Sequence, residues 1–167
     1  MEEDRSGVSA PASTASIDAR DSPVGVARMV LLVEDNDDHA ELVRRALRQS
    51  GHPHNLLRLE DGQEALSFLL GTGQHKSRGD CALILLDLRL PRVGGLEVLR
   101  QLRDANHVLS VPVVVLTTSE AEGDIEAAYE HGAHAYVVKP ADFTAFGDLA
   151  RDLARFWLGW NKIANPA

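Results

Sequence analysis

The sequence lacks the features that mark disulfide-bonded, membrane-spanning and secreted proteins. It has one cysteine, Cys81, so no disulfide can form within the chain, and this fits a reducing cytoplasm. No apolar run is long enough to span a bilayer. Residues 1–4 (Met-Glu-Glu-Asp) lack the basic and then apolar regions of a secretory signal. We therefore expect a cytoplasmic protein with no membrane association.

Basic charge and aromatic residues are also scarce. Lys and Arg number 17 against 25 Asp and Glu, a formal net charge of −8, whereas non-specific nucleic-acid binding would need a basic face. The acidic balance suits a protein that binds a cation or a basic partner surface. Aromatic residues make up 5% and hydrophobic residues 44% of the chain, which is typical of an α/β protein with an aliphatic interior.

Short apolar runs alternate with segments of helical periodicity. The runs predict five strands, at 29–33, 55–59, 83–86, 111–116 and 135–138. Their spacing is typical of βαβ units, so we expect one doubly wound parallel sheet with five helices. Residues 1–27 have no apolar period and are predicted to form a disordered leader. The domain is expected to span 28–160, followed by a tail at 161–167.

Four of the five predicted strands end in reactive polar residues. These residues are Glu34 with Asp35, then Asp87, Thr117 and Lys139. Because the carboxyl ends of parallel strands meet at one edge of the sheet, we expect the side chains to converge there. Carboxylates that converge without a cation repel each other, and Mg²⁺ is a hard cation that takes such oxygen ligands. A carboxylate such as Asp87 can attack phosphorus and form an acyl phosphate, whose charge the cation, the lysine and the threonine hydroxyl would neutralise.

Four short blocks resemble the signature motifs of response-regulator receiver domains. They are 33–36 (Val-Glu-Asp-Asn), 86–91 (Leu-Asp-Leu-Arg-Leu-Pro), 116–119 (Leu-Thr-Thr-Ser) and 138–140 (Val-Lys-Pro). One block alone says little, but all four in order, each at a strand end, are specific. The resemblance extends over residues 29–160 and implies the flavodoxin-like receiver fold, with strand order 2-1-3-4-5.

The resemblance implies a phosphoprotein of a two-component system. Asp87 would be the phosphoacceptor and would take its phosphoryl group from a sensor histidine kinase. Glu34, Asp35 and Asp87, together with the backbone carbonyl of Arg89, would bind Mg²⁺. The protein would then act through a conformational change that phosphorylation controls.

The other matching residues receive roles from the same resemblance. Lys139 would bind the phosphoryl group, and its peptide bond to Pro140 would be cis. Thr117 and Tyr136 would form the switch pair, in which the threonine moves towards the phosphate and the tyrosine turns inward behind it.

Two further stretches resemble small stand-alone regulators that are paired with bacterial phytochromes. These are the long loop at 71–80 and the aromatic end at 156–160. Phe156 and Trp157 are adjacent, so a helix that carries both exposes at least one of them. With Trp160 they are predicted to form a partner or homodimer surface.

Two other functional classes compete with the receiver hypothesis. Phosphatases with an aspartate nucleophile usually carry a second Asp two residues later as general acid, but that position is Arg89, which cannot donate a proton at neutral pH. We therefore expect no enzyme, only a phosphoacceptor with at most slow autodephosphorylation. The alternative is a phosphorylation-independent docking module, which would need none of the intact site residues. The chain ends soon after the fifth predicted helix, so no attached output domain is expected.

Overall fold

The computed structural model describes residues 16–18, 27–72, 81–105 and 111–162. Its strands are β1 (Ser16–Asp18), β2 (Arg28–Val33), β3 (His54–Leu59), β4 (Cys81–Leu86), β5 (Val113–Thr117) and β6 (Ala135–Val138). Its helices are α1 (Asp37–Gln49), α2 (Gly62–Leu69), α3 (Gly95–Asp104), α4 (Glu122–Glu130) and α5 (Phe143–Ala154). A π-helical segment, Arg155–Trp160, continues α5. Among the described residues, no helix has an apolar stretch long enough to cross a membrane.

The five predicted strands form a parallel sheet in the predicted order. The strands lie in the order β3-β2-β4-β5-β6, which is 2-1-3-4-5 when they are counted from β2. Val33 pairs with Leu86, and Thr117 pairs with Val138. Since these residues close their strands, the polar residues that follow them emerge at one edge of the sheet. The expectation of a flavodoxin-like receiver fold is confirmed.

The core lies on both faces of this sheet. Along β2, Leu31 and Val33 pack against α2 and α3, while Val30 and Leu32 pack against α1 and α5. All four side chains are buried, because successive residues of a strand point to opposite faces and helices cover each face. This explains why the strands read as continuous apolar runs rather than as alternating patterns.

One strand differs from the expectation of a disordered leader. Ser16–Asp18 pairs antiparallel with β3, with Ile17 opposite Leu57. Three residues are too few to show a strand period in the sequence, whereas the edge of β3 offers unpaired backbone groups to any chain beside it. The rest of the predicted leader, at 1–15 and 19–26, lies outside the described residues, as do 73–80 in the glycine-rich loop and 163–167 in the tail. The predicted domain boundaries stay predictions.

Candidate functional site

Backbone hydrogen bonds hold the predicted site residues at the sheet edge. The N–H of Glu34 donates to the carbonyl of Leu59 over 3.0 Å, and that of Asp87 donates to Val33 over 3.0 Å. The N–H of Lys139 donates to the carbonyl of Thr117 over 2.7 Å. The hydrogen-bond ladders thus run one residue beyond the strands. The side chains therefore emerge from rigid backbone rather than from a free loop.

Gly95 lets α3 begin directly against the backbone of Asp87. Its N–H donates to the carbonyl of Leu88 over 2.9 Å. A Cβ at this position would overlap the carbonyl oxygen of Asp87 and the Cα of Leu88. A residue without a side chain is required here, because the helix N-terminus and the strand end share this space.

A buried ammonium lies between two buried carboxylates at the centre of the site. Nζ of Lys139 is 2.5 Å from Oε2 of Glu34 and 2.9 Å from Oδ2 of Asp87. The lysine side chain is 1% exposed, so it must be paired to stay charged. The sequence predicted this convergence, and the structure brings the three residues together.

Three carboxylates form a group that suits a divalent cation. Oxygen atoms of Glu34, Asp35 and Asp87 lie within 4.8 Å of one another. Glu34 and Asp87 are buried and Asp35 is exposed, so a cation could enter from the side of Asp35. The backbone N–H of Arg89 donates to Oδ1 of Asp87 over 3.2 Å, which places the backbone of residue 89 beside this group. Hard oxygen donors of this kind favour Mg²⁺, Mn²⁺ or Ca²⁺ over softer metals.

Thr117 and Tyr136 are joined through Ser119. The buried hydroxyl of Thr117 accepts a long hydrogen bond, 3.4 Å, from the N–H of Ser119. The phenol of Tyr136 donates to the carbonyl of Ser119 over 3.0 Å. Burial raises the pKa of Tyr136 above its usual value, so the phenol remains a donor at neutral pH.

The peptide bond between Lys139 and Pro140 is trans. The expectation of a cis bond was wrong. The trans form is the intrinsically preferred state even before proline, by about 0.5–1 kcal/mol. Lys139 reaches both Glu34 and Asp87 with the bond in this form.

Sequence reasoning missed two residues that support the site. Arg58 lies buried in β3, where its Nε donates to the carbonyl of Glu34 over 2.9 Å and Nη1 donates to Asp37 over 2.7 Å. A single charge in the otherwise apolar end of β3 was the available signal. His39 lies in the first turn of α1 with Nδ1 3.2 Å from Nζ of Lys139. No spacing pattern marks it.

The predicted aromatic surface, Phe156 with Trp157 and Trp160, is partly exposed. Phe156 is 51% and Trp160 81% exposed, whereas Trp157 is half-buried and packs against the core. The rings of Phe156 and Trp157 meet edge to face, with centroids 5.1 Å apart. The expectation that one of this adjacent pair is exposed holds, and its role in an interface stays a prediction.

Residues 30–150 match the response regulator receiver domain family. The chain belongs to this family. It is therefore a receiver domain with a phosphoacceptor role in two-component signalling, in which such domains interact with histidine kinases. The function expected from the four sequence blocks is confirmed at this level.

Individual relatives agree with this assignment. The chain is 39% identical over 142 residues to the probable methanogenesis regulatory protein FilR2 of Methanothrix harundinacea, covering 83% of this chain and 89% of that protein. It is 37% identical over 131 residues to the response regulator Rcp1 of Synechocystis sp., covering 78% and 89%.

Solved structures of response regulators have a fold similar to that of this chain. The phosphorylated cyanobacterial phytochrome response regulator RcpA superposes with a TM-score of 0.78 at 33% identity, covering 84% of this chain and all of that one. The Mn²⁺-bound form of Rcp1 gives 0.77 at 35% identity, covering 83% and 99%. Together with the three carboxylates, that metal-bound relative indicates a divalent-metal site.

Proposed function

We propose that this receiver acts as a single-domain response regulator whose phosphoacceptor is Asp87. One observation carries the proposal: the Asp87 carboxylate lies 2.9 Å from a buried ammonium inside a group of three carboxylates. A nucleophile for phosphorus needs mainly correct positioning and charge neutralisation close by. The donor is the phosphohistidine of a sensor histidine kinase.

The transfer exchanges one bond to phosphorus for another. An oxygen of Asp87 attacks phosphorus, the P–N bond to the kinase histidine breaks, and the imidazole leaves with its electron pair and takes up a proton. Lys139 turns from Glu34 to an oxygen of the phosphoryl group, and the hydroxyl of Thr117 donates to another. Glu34, Asp35 and Asp87, with the carbonyl of Arg89, are the residues that would hold Mg²⁺, which would supply positive charge to help neutralise the transferring phosphoryl group.

The contacts of Ser119 support a switch at Thr117 and Tyr136. If Thr117 turns towards the phosphoryl group, its contact with the N–H of Ser119 is lost. The carbonyl of Ser119 holds the phenol of Tyr136, so a shift of this backbone would reposition the ring. Phosphorylation at one edge of the sheet would thus change the surface beside β6 and α4.

Labelling by acetyl phosphate tests whether Asp87 is the phosphoacceptor. We expect one added phosphoryl group by intact-mass spectrometry in the presence of Mg²⁺, and none when the metal is chelated. Asp87→Asn should abolish the labelling, whereas Asp104→Asn, which changes an exposed carboxylate at the end of α3, should leave it intact. Labelling that persists in Asp87→Asn would place the phosphoacceptor elsewhere.

The same experiment separates the competing functional classes. A phosphoacceptor gives stable labelling with at most slow autodephosphorylation. A phosphatase with an aspartate nucleophile gives sustained phosphate release, for which the site would need a proton donor where it has Arg89. A phosphorylation-independent docking module gives neither signal.

We propose a phytochrome histidine kinase as the phosphodonor. RcpA is a phytochrome response regulator, and its likeness to this chain supports a phytochrome histidine kinase as partner, in the cytoplasm. The test is phosphotransfer: a phytochrome kinase should label the protein much faster than an unrelated histidine kinase at equal concentration. Equal rates would contradict the pairing.

We also propose a homodimer as the working form. Two exposed aromatic side chains, Phe156 and Trp160, lie close in sequence on the final helical segment, and burial of such rings stabilises protein interfaces. The output is then a protein contact rather than binding to nucleic acid, for which the net charge of −8 is unsuited.

A further inference from the structure

His39 is a neighbour of the site lysine that the reaction proposed above does not use. Its Nδ1 is 3.2 Å from Nζ of Lys139 and 3.6 Å from Oε1 of Glu34, the latter beyond hydrogen-bond length. An ammonium has only donors, so Nδ1 of His39 is the acceptor in this contact. The lysine then donates to three acceptors, Glu34, Asp87 and His39, which matches the number of its N–H groups.

His39 is held at its backbone and at its ring. Its backbone N–H donates over 2.9 Å to Oδ1 of Asn36, which caps α1, and the N–H of Asn36 donates over 3.1 Å to Oε1 of Glu34. On the other side, the ring meets the buried ring of Phe146 edge to face, with centroids 5.4 Å apart. The backbone of His39 is therefore held in α1, and its ring packs against α5.

The three acceptors of Lys139 differ in what phosphoryl transfer requires of them. Glu34 is to bind the metal ion, and Asp87 is to bind phosphorus, so both must loosen their contacts with the lysine. His39 has neither task and can keep its hydrogen bond throughout. Without it, a buried ammonium would be left with a free donor, which costs free energy, and would hold the two carboxylates more tightly.

We propose that His39 is a positioning residue of the phosphorylation site. By accepting a hydrogen bond from Lys139, it keeps the ammonium in place while Glu34 and Asp87 exchange that ammonium for the metal ion and the phosphoryl group. This inference rests on the proposed function, because it assumes phosphoryl transfer to Asp87.

Two substitutions at His39 separate the contribution of its hydrogen-bond acceptor from that of its side-chain volume. His39→Leu removes the acceptor and keeps a side chain of similar size, whereas His39→Asn keeps an oxygen acceptor near the place of Nδ1. At saturating Mg²⁺ and phosphoramidate, we expect His39→Leu to slow phosphorylation about tenfold, the effect of losing one hydrogen bond to a charged group. His39→Asn should recover at least half of the rate. Mg²⁺ affinity, measured by calorimetry without phosphodonor, should weaken in the same order.

A double-mutant cycle with Lys139→Ala tests whether the effect passes through the lysine. If it does, His39→Leu changes neither rate nor Mg²⁺ affinity further once the lysine is absent. The free energy of unfolding of each variant is measured in parallel. If His39 had a purely structural role, His39→Leu would lower the free energy of unfolding both with Lys139 present and in Lys139→Ala.

The outcomes distinguish this inference from the proposed function. If the wild type is labelled but His39→Leu is labelled as fast, or His39→Asn is as slow as His39→Leu, the positioning role is overturned. A rate loss that persists in the Lys139→Ala background overturns it as well. If the wild type is not labelled at Asp87, the proposed function fails first, and the inference fails with it.

Discussion

Lys139 sets the charge balance of the site at the scale of single residues. Its ammonium is shared between Glu34 and Asp87, and all three side chains are buried. Such an arrangement adds little net stability, because desolvation of the charges offsets their attraction, but loss of one partner leaves a buried charge unpaired. The site is thus stable only while a cation, either the lysine or a metal ion, lies among the carboxylates.

Replacement of this lysine should destabilise the metal-free protein. We expect Lys139→Met to lower the free energy of unfolding by about 3 kcal/mol when metal is chelated, as for a broken buried ion pair. Mg²⁺ should stabilise this variant more than the wild type, since binding to the folded state alone adds stability and no ammonium competes.

Urea denaturation with and without Mg²⁺ measures both effects. Lys162→Met, which changes an exposed lysine after the final helical segment, is the matched control and should behave as the wild type does. This account of the charge balance would be contradicted if the two variants had the same free energy of unfolding without metal. It would also be contradicted if Mg²⁺ stabilised Lys139→Met and the wild type equally.

The residues of the site differ in how far the sequence predicted them. Asp87 and Lys139 could be placed together because each follows a strand, and parallel strands end at one edge. His39 and Arg58 could not, because their contacts depend on how α1 and β3 pack beside that edge. The isomer of the Lys139–Pro140 bond was also beyond prediction, since the two forms differ by little free energy before proline.

At the scale of elements, the site depends on how closely α3 approaches β4. The helix begins at Gly95, directly against the carbonyl of Asp87. A side chain there would push the helix and Asp87 apart, whereas most helical positions accept alanine in place of glycine with a gain in stability.

Alanine substitution of two glycines tests whether the site depends on this close contact between α3 and Asp87. We expect Gly95→Ala to destabilise the protein and to slow phosphorylation of Asp87. Gly147→Ala, inside α5 where an added Cβ would meet nothing within 4 Å, should instead raise the free energy of unfolding by about 0.5–1 kcal/mol. Thermal unfolding and labelling rates of both variants provide the comparison. A neutral Gly95→Ala would show that the backbone of Asp87 is less constrained than proposed.

The elements themselves were largely predictable, apart from β1. The five parallel strands are apolar throughout because helices cover both faces, and this gives a clear signal. Ser16–Asp18 has no such signal, because its place is set by the free edge of β3 rather than by its own pattern. Edge pairing of so short a segment depends on the partner strand.

At the scale of the whole molecule, the proposed homodimer depends on the exposed aromatic residues. Phe156 and Trp160 lie on the segment that continues α5, and Trp157 between them anchors this segment to the core. The surface they form is thus fixed to the fold on the α1 and α5 face of the sheet. A rigid apolar surface of this kind can be buried by a second copy of the chain at small conformational cost.

Sedimentation velocity over a range of concentrations tests the homodimer. We expect the wild type to shift from monomer to dimer as concentration rises, and a variant with both Phe156→Ser and Trp160→Ser to remain monomeric. Phe143→Ser is the control, since this residue is 58% exposed and lies at the opposite end of α5. A monomeric wild type, or an equal loss of association in the control, would contradict the proposed surface.

Chemical trapping of the phosphorylated residue tests the central claim most directly. Borohydride reduces an aspartyl phosphate to homoserine, so the position of homoserine in a peptide map identifies the phosphoacceptor. After treatment with acetyl phosphate and Mg²⁺, the account predicts homoserine at position 87 and at no other aspartate. Homoserine at position 35, or none in protein shown by its mass to carry a phosphoryl group, would contradict the assignment of Asp87.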